Sequence, residues 1–251
     1  MKSLRDLMRD WAPNAVAALQ VYRVLRRQWV SLGAAGRDER PVSDLVAGTG
    51  DAVLDFAGRE IALVEATPAP LAASQRREEI LTFLERVEAI RPRAVLEIGT
   101  SAGGTLYLLT RVAAEDAVIV YVDLAVPWFS ARARSRLARA GQRVVGIGAD
   151  SGDAATQRRV IEALGGRPLD VLFIDGDHSY DGVRRDFELY APLVRAGGII
   201  GLHDVNRDDD AAHAVSGEVP RFWSELRQSH RTEQLILSSR DDGYGIGIVY
   251  M

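Results

Sequence analysis

From residue 74 onward the sequence predicts an α/β fold. It is a doubly wound, seven-stranded sheet of five parallel strands and a terminal antiparallel hairpin, with helices on both faces and an N-terminal helical segment. Three observations carry this. Five short apolar runs, 94–98, 118–122, 144–147, 171–174 and 199–202, are separated by helical patterns at 105–114, 128–140, 154–164 and 180–195, and such alternation builds βαβ units. A glycine-rich turn follows the first run, as ligand-binding strand-to-helix turns require. After a helix around 220–228, two last runs, 234–237 and 244–250, are joined by a short polar loop holding Asp241, Asp242 and Gly243. So short a connection forces them antiparallel.

In front of this pattern, residues 1–73 read as a separate helical segment. Leu4, Leu7, Met8 and Trp11 recur at helical spacing, 16–29 gives a second, arginine-rich helix, 33–41 is a loop and 67–70 a Pro-rich linker. The segment is expected to be a cap packed on the main unit, or a lid or dimerisation element. Residues 74–251 form the main domain. Its first helix carries Ile80, Phe83, Leu84, Val87 and Ile90 on one face and is stopped by Pro92.

The composition is that of an ordinary soluble protein: 47% hydrophobic, 26% charged, with 31 basic and 35 acidic residues leaving a net charge of −4. That balance disfavours a general nucleic-acid binder. With no cysteine in the chain, disulfides, thiolate-bound zinc, iron–sulfur clusters and a thiol nucleophile are excluded. The N-terminus lacks the apolar core of a signal peptide, and no run reaches the ~18 apolar residues that span a bilayer. The expected location is the cytoplasm.

In open α/β sheets ligands sit beyond the carboxyl ends of the strands, so those ends name the candidate residues. The first strand ends in Glu97, Ile98 and Gly99, followed by Thr100, Ser101, Ala102, Gly103 and Gly104. The dinucleotide fingerprint fails here, because Ser101 stands where its second glycine belongs. The second strand ends in Asp123, 24 residues after Gly99, where a carboxylate can hold ribose hydroxyls. The third ends in Asp150 and Ser151. Asp150 could reach an adenine amino group, and Ser151 or Asp153 could equally cap the next helix. The fourth delivers Asp175, Gly176, Asp177 and His178, and the fifth His203, Asp204 and Asn206. Asp175 and Asp204 would lie on neighbouring strands, close enough to share a hard cation such as Mg²⁺. Asp208–Asp210 reads as a solvated loop, and the arginine pairs at 76–77, 158–159 and 184–185 as exposed helix faces. Trp128 is the one aromatic placed to flank a ligand ring.

These motifs resemble those of class I S-adenosylmethionine-dependent methyltransferases. VLEIGTSAGGT is similar to their first cofactor motif, VIVYVDL to the acidic second and GIGADSGD to the adenine-side third. The stretch from LDVLFIDGDHSYDG to GGIIGLHDV resembles a small-molecule O-methyltransferase branch, that of the cephalosporin hydroxylase/macrolide-sugar methyltransferase-like proteins. The resemblance covers about 75–251. It implies a Rossmann-like sheet whose last strand is antiparallel, and S-adenosylmethionine as cofactor. Glu97, Gly99 and Ser101, with Thr100 and Gly103 of the same turn, would line the methionine end; Asp123 would bind ribose, and Asp150 and Ser151 would approach adenine. It also implies a Mg²⁺ site on Asp175 and Asp204, with Asp175 shared with the cofactor site. His203, standing where relatives often carry another acidic or amide ligand, is the third candidate metal ligand, and Asp177, His178 or His203 would take the acceptor proton. The expected partners are a small hydroxylated acceptor and further copies of the chain, with no nucleic acid and no membrane. A nicotinamide-dependent oxidoreductase and a non-catalytic adenosylmethionine-binding subunit are the alternatives.

Overall fold

The computed structural model describes residues 75–101, 103–124, 134–206, 216–236 and 244–251. The segment 1–73 and Trp128 lie outside them. Helix α1 (Arg77–Ala89) leads into β1 (Ala94–Ile98), α2 (Gly104–Val112), β2 (Val118–Asp123), β3 (Arg143–Gly148), α3 (Ala154–Ala163), β4 (Leu169–Ile174), α4 (Tyr180–Tyr190), β5 (Val194–His203), α5 (Val219–Ser229), β6 (Arg231–Leu235) and β7 (Ile246–Tyr250). The seven strands form one sheet in the order β3-β2-β1-β4-β5-β7-β6. Strands β1 to β5 run parallel, while β7 is antiparallel to both β5 and β6.

Strand parity builds two cores. Val95, Ile119, Tyr121 and Phe173 face α1 and α2, packing with Phe83, Leu84 and Leu109. Their chain neighbours Leu96, Val120 and Leu172, with Leu202 of β5, face α3, α4 and α5, packing with Val160, Val183 and Trp223. A strand buried on both sides reads as a continuous apolar run, which is why β1, β2 and β4 are so legible. Each large apolar side chain taken fully from water contributes roughly 2–3 kcal/mol. Gly201 is needed in the middle of β5, because a Cβ there would stand 2.7 Å from the Phe83 ring and 2.8 Å from that of Phe173.

Three elements depart from the sequence pattern. The helix expected over 180–195 ends at Tyr190, followed by a 3-10 turn, Ala191–Leu193, and then β5. Pro192 has no N–H to donate back and cannot sit in a helix interior. β6 begins at Arg231, opposite Tyr250, three residues before the pattern suggested. Of the helix expected over 128–140, residues 128–133 lie outside the described residues; Arg134 is helical and is followed by a 3-10 turn, Ser135–Leu137, after which the chain leaves the helix.

The topology also makes the crevice. From β1 the chain passes to β2 on one side, and later returns to place β4 on the other side of β1. The strand order therefore reverses beside β1, and the carboxyl ends of β1 and β4 diverge there.

Candidate active site

A cleft of about 750 Å³ opens at that reversal. At its centre the turn after β1 bends through Gly99, whose φ is +77°. A Cβ at Gly99 would overlap the carbonyl oxygen of Asp175 on the neighbouring turn, so only glycine fits. The turn is fixed from β2: Oδ2 of Asp123 accepts the backbone N–H groups of Thr100 (3.0 Å) and Ser101 (2.9 Å). Asp123 thus shapes the turn and also lines the cleft. Thr100 and Ser101 line it as well; Gly103, in the left-handed region at φ 95°, starts α2 and does not.

Glu97 lies beneath the turn rather than in the cleft. It is fully buried; Thr100 Oγ1 donates to its Oε2, and Oε1 has no hydrogen-bond partner among the described residues. Burial pushes its carboxyl up to about 8, against the pull of the Thr100 hydrogen bond. Arg134 supports the turn from the same side, donating through Nη2 to the Ser101 carbonyl with its guanidinium 5.3 Å from the Tyr121 ring centroid.

At the β3 end, Oδ1 of Asp150 accepts the N–H of Gly152 at 2.8 Å, and Arg185 Nη2 lies 3.9 Å from the same oxygen. Arg185, read from sequence as an exposed helix face, lines the cleft beside Asp150 and Ser151. Its guanidinium lies against Gly152, in the space a Cβ would take. The carbonyl of Ser151 accepts the Tyr190 hydroxyl at 2.8 Å.

At the β4 and β5 ends the acidic and imidazole groups converge. Ligating atoms of Asp175, His178 and Asp204 all lie within 4.8 Å of one another. His178 Nε2 is 3.6 Å from Asp175 Oδ1, and its Nδ1 is 3.4 Å from Asp204 Oδ2. The chain bends at Gly176, and the histidine, three residues on from Asp175, faces the aspartate. Asp204 has a φ of 60°, a strained setting of the kind found at functional sites. Two carboxylates and one imidazole make a donor set for a divalent cation, with carboxylate oxygen suiting magnesium or manganese.

His203, expected as a further metal ligand, lines the cleft as well, beside the group formed by Asp175, His178 and Asp204. Its side chain is 3% exposed, and Nδ1 stands 3.2 Å from both Asp175 Oδ1 and Asp204 Oδ1 without the alignment of a hydrogen bond. Burial lowers its proton affinity, but the two carboxylates together raise it well above the ordinary imidazole value. Burial likewise pushes Asp175 up, while His203 and His178 more than compensate and bring it down to about 2. Asp177 lines the cleft, yet its Oδ1 accepts the Ser179 N–H at 2.9 Å, holding its carboxyl below the usual range. That makes it a weak proton acceptor. Gln75 and Tyr244 complete the lining here; neither carries a motif that would mark it in the sequence.

Residues 96–205 match the model of a family described as a methyltransferase domain. A stretch of 36 residues is 53% identical to uncharacterized protein R132 of Acanthamoeba polyphaga mimivirus, spanning 14% of this chain and only 16% of that protein. Among solved structures, the fold is similar to an O-methyltransferase from Bacillus cereus in complex with SAH (TM-score 0.50, 21% identity, 69% of this chain and 81% of that one). It is also similar to cofactor-bound Rv0187 from MTB (TM-score 0.52, 22% identity, 73% and 83%). A third similar structure is the O-methyltransferase TomG from Streptomyces achromogenes, involved in tomaymycin synthesis, in complex with SAM (TM-score 0.51, 23% identity, 72% and 82%). These structures share the fold, and the family model carries the activity class. Over 96–205 the chain therefore matches a methyltransferase domain, set in a fold that it shares with these structures.

Proposed function

We propose that this chain transfers a methyl group from S-adenosylmethionine to a hydroxyl of a small molecule, assisted by a divalent cation such as Mg²⁺. The observation that carries this is the convergence of Asp175, His178 and Asp204 at one end of the cleft whose middle is the Gly99 turn. The cofactor is assigned to that middle, where the turn that Asp123 holds lines the cleft with Gly99, Thr100 and Ser101. When bound, S-adenosylmethionine supplies an electrophilic methyl carbon, and a cation held by Asp175, His178 and Asp204 supplies positive charge that acidifies an acceptor hydroxyl.

The protein's own residues do the rest. Asp123 and the turn hold the ribose side, and Asp150, Ser151 and Arg185 border the adenine side. This fixes the direction from which an acceptor must approach, and alignment of that kind is the main catalytic need of an in-line transfer. His203 sits between the two carboxylates and holds or releases a proton according to how much of their charge faces it. Asp177, engaged at the start of α4, orders the turn that carries His178. On this reading the acceptor enters beside Tyr244 and the enzyme works in the cytoplasm, as a homo-oligomer. The oxidoreductase alternative falls with the methyltransferase match.

The test uses labelled S-adenosylmethionine and a panel of hydroxylated acceptors, with and without a chelator, on wild type and Asp175→Ala. The variant should lose turnover while its affinity for S-adenosylhomocysteine, measured by calorimetry, stays within a few-fold. Loss of S-adenosylhomocysteine binding in Asp175→Ala would move Asp175 to the cofactor, and turnover indifferent to chelation would remove the cation.

A further inference from the structure

We infer that Gln75 is a positioning residue that sets the rotation of the Asp175 carboxylate and ties it to the first turn of α2. The inference rests on the reading that Asp175 works at the reacting end. Gln75 precedes α1, is 2% exposed and lines the cleft. Its Nε2 donates to Asp175 Oδ2 at 3.0 Å, and its Oε1 accepts from Thr105 Oγ1 at 2.8 Å. The amide orientation follows from chemistry: an ionised carboxylate accepts only, so the NH₂ must face Asp175 and the carbonyl must face Thr105.

The consequence is geometric. A carboxylate turns easily about its last torsion, which is broad and roughly two-fold. Holding Oδ2 leaves Oδ1 facing His203 at 3.2 Å and His178 at 3.6 Å. Thr105 is buried in the first turn of the helix that grows from the Gly99 turn. One amide therefore links the helix behind the cofactor cradle to the carboxylate at the acceptor end.

Gln75→Glu is the diagnostic change. It keeps size and shape and the acceptor for Thr105, but sets an oxygen where the donor to Asp175 was. Gln75→Ala removes both contacts. The full-length protein and each variant are titrated calorimetrically with Mn²⁺ and, separately, with S-adenosylhomocysteine; Asp175→Ala defines the specific Mn²⁺ site. Both Gln75 variants should weaken Mn²⁺ binding by roughly 10- to 100-fold, as loss of partners behind metal ligands does, with S-adenosylhomocysteine affinity changed less than about threefold. Wild-type Mn²⁺ affinity in Gln75→Glu would overturn the inference and leave the cation reading standing. Mn²⁺ binding absent from wild type, or unaffected by Asp175→Ala, would overturn the cation reading alone. Imidazole ¹⁵N shifts then decide on Gln75, recorded at one pH in cation-free protein. The chain has four histidines, and His178 and His203 are assigned by substitution. Movement of both resonances in Gln75→Glu supports the positioning role; unchanged resonances overturn it.

Discussion

Glu97→Gln separates a buried neutral acid from a buried charge. Glu97 is fully enclosed, takes one hydrogen bond from Thr100, and has its carboxyl pushed up to about 8 from an ordinary value near 4.5. Folding then holds a proton that the unfolded chain gives up. Below about pH 4.5 both states are protonated and the full stability is present. Between about 4.5 and about 8 only the unfolded chain ionises, so stability falls by about 1.4 kcal/mol per pH unit and is lost as pH rises through the folded value. By pH 7 the loss is about 3 kcal/mol. Glutamine mimics the neutral acid, still accepts from Thr100, and does not titrate. Urea unfolding at pH 5, 6, 7 and 8 should therefore show the advantage of Glu97→Gln over wild type growing steadily. Other buried groups, such as Asp186 (pushed up to about 6 by burial), titrate in both proteins and cancel in the difference. Parallel stability curves for the two proteins would refute the reasoning.

Two further outcomes follow from the cradle. Gly99→Ala should lose S-adenosylhomocysteine binding by at least an order of magnitude in calorimetry, because its Cβ overlaps the Asp175 carbonyl and its backbone sits at φ +77°; a left-handed setting alone costs about 1–2 kcal/mol for a residue with a Cβ. Asp123→Asn should weaken S-adenosylhomocysteine binding by about 10- to 100-fold. The two N–H groups on Oδ2 lose a charged acceptor, and such bonds are each worth about 1.5–3 kcal/mol.

Much of this was legible in the chain. β1, β2 and β4 are buried on both faces, so their sequences are nearly unbroken apolar runs, and the short loop after β6 announced the antiparallel end. The residues at the strand ends were readable because a parallel sheet delivers them to one edge. What escaped notice depended on side-chain direction or on distant partners. His178 and His203 offered the same imidazole, and both meet the two carboxylates in the cleft; only the fold makes His178 the half-exposed one and His203 the buried one. Arg185 is exposed, as helical spacing says, but that spacing gives no sign of the Gly152 and Asp150 it lies against. Gln75 meets Asp175 across 100 positions of chain, and no local pattern encodes that meeting. The helix predicted through 195 failed because periodicity outvoted Pro192.

The overlap at Gly99 has a consequence for how this enzyme can change. The atom that forbids a side chain there is the main-chain oxygen of Asp175, which no substitution at 175 can remove. Compensating pairs, the usual route by which a packed site drifts, are therefore closed at this seam. A variant library seeking new acceptors should hold position 99 fixed and spend its diversity at cleft-lining side chains such as Tyr244.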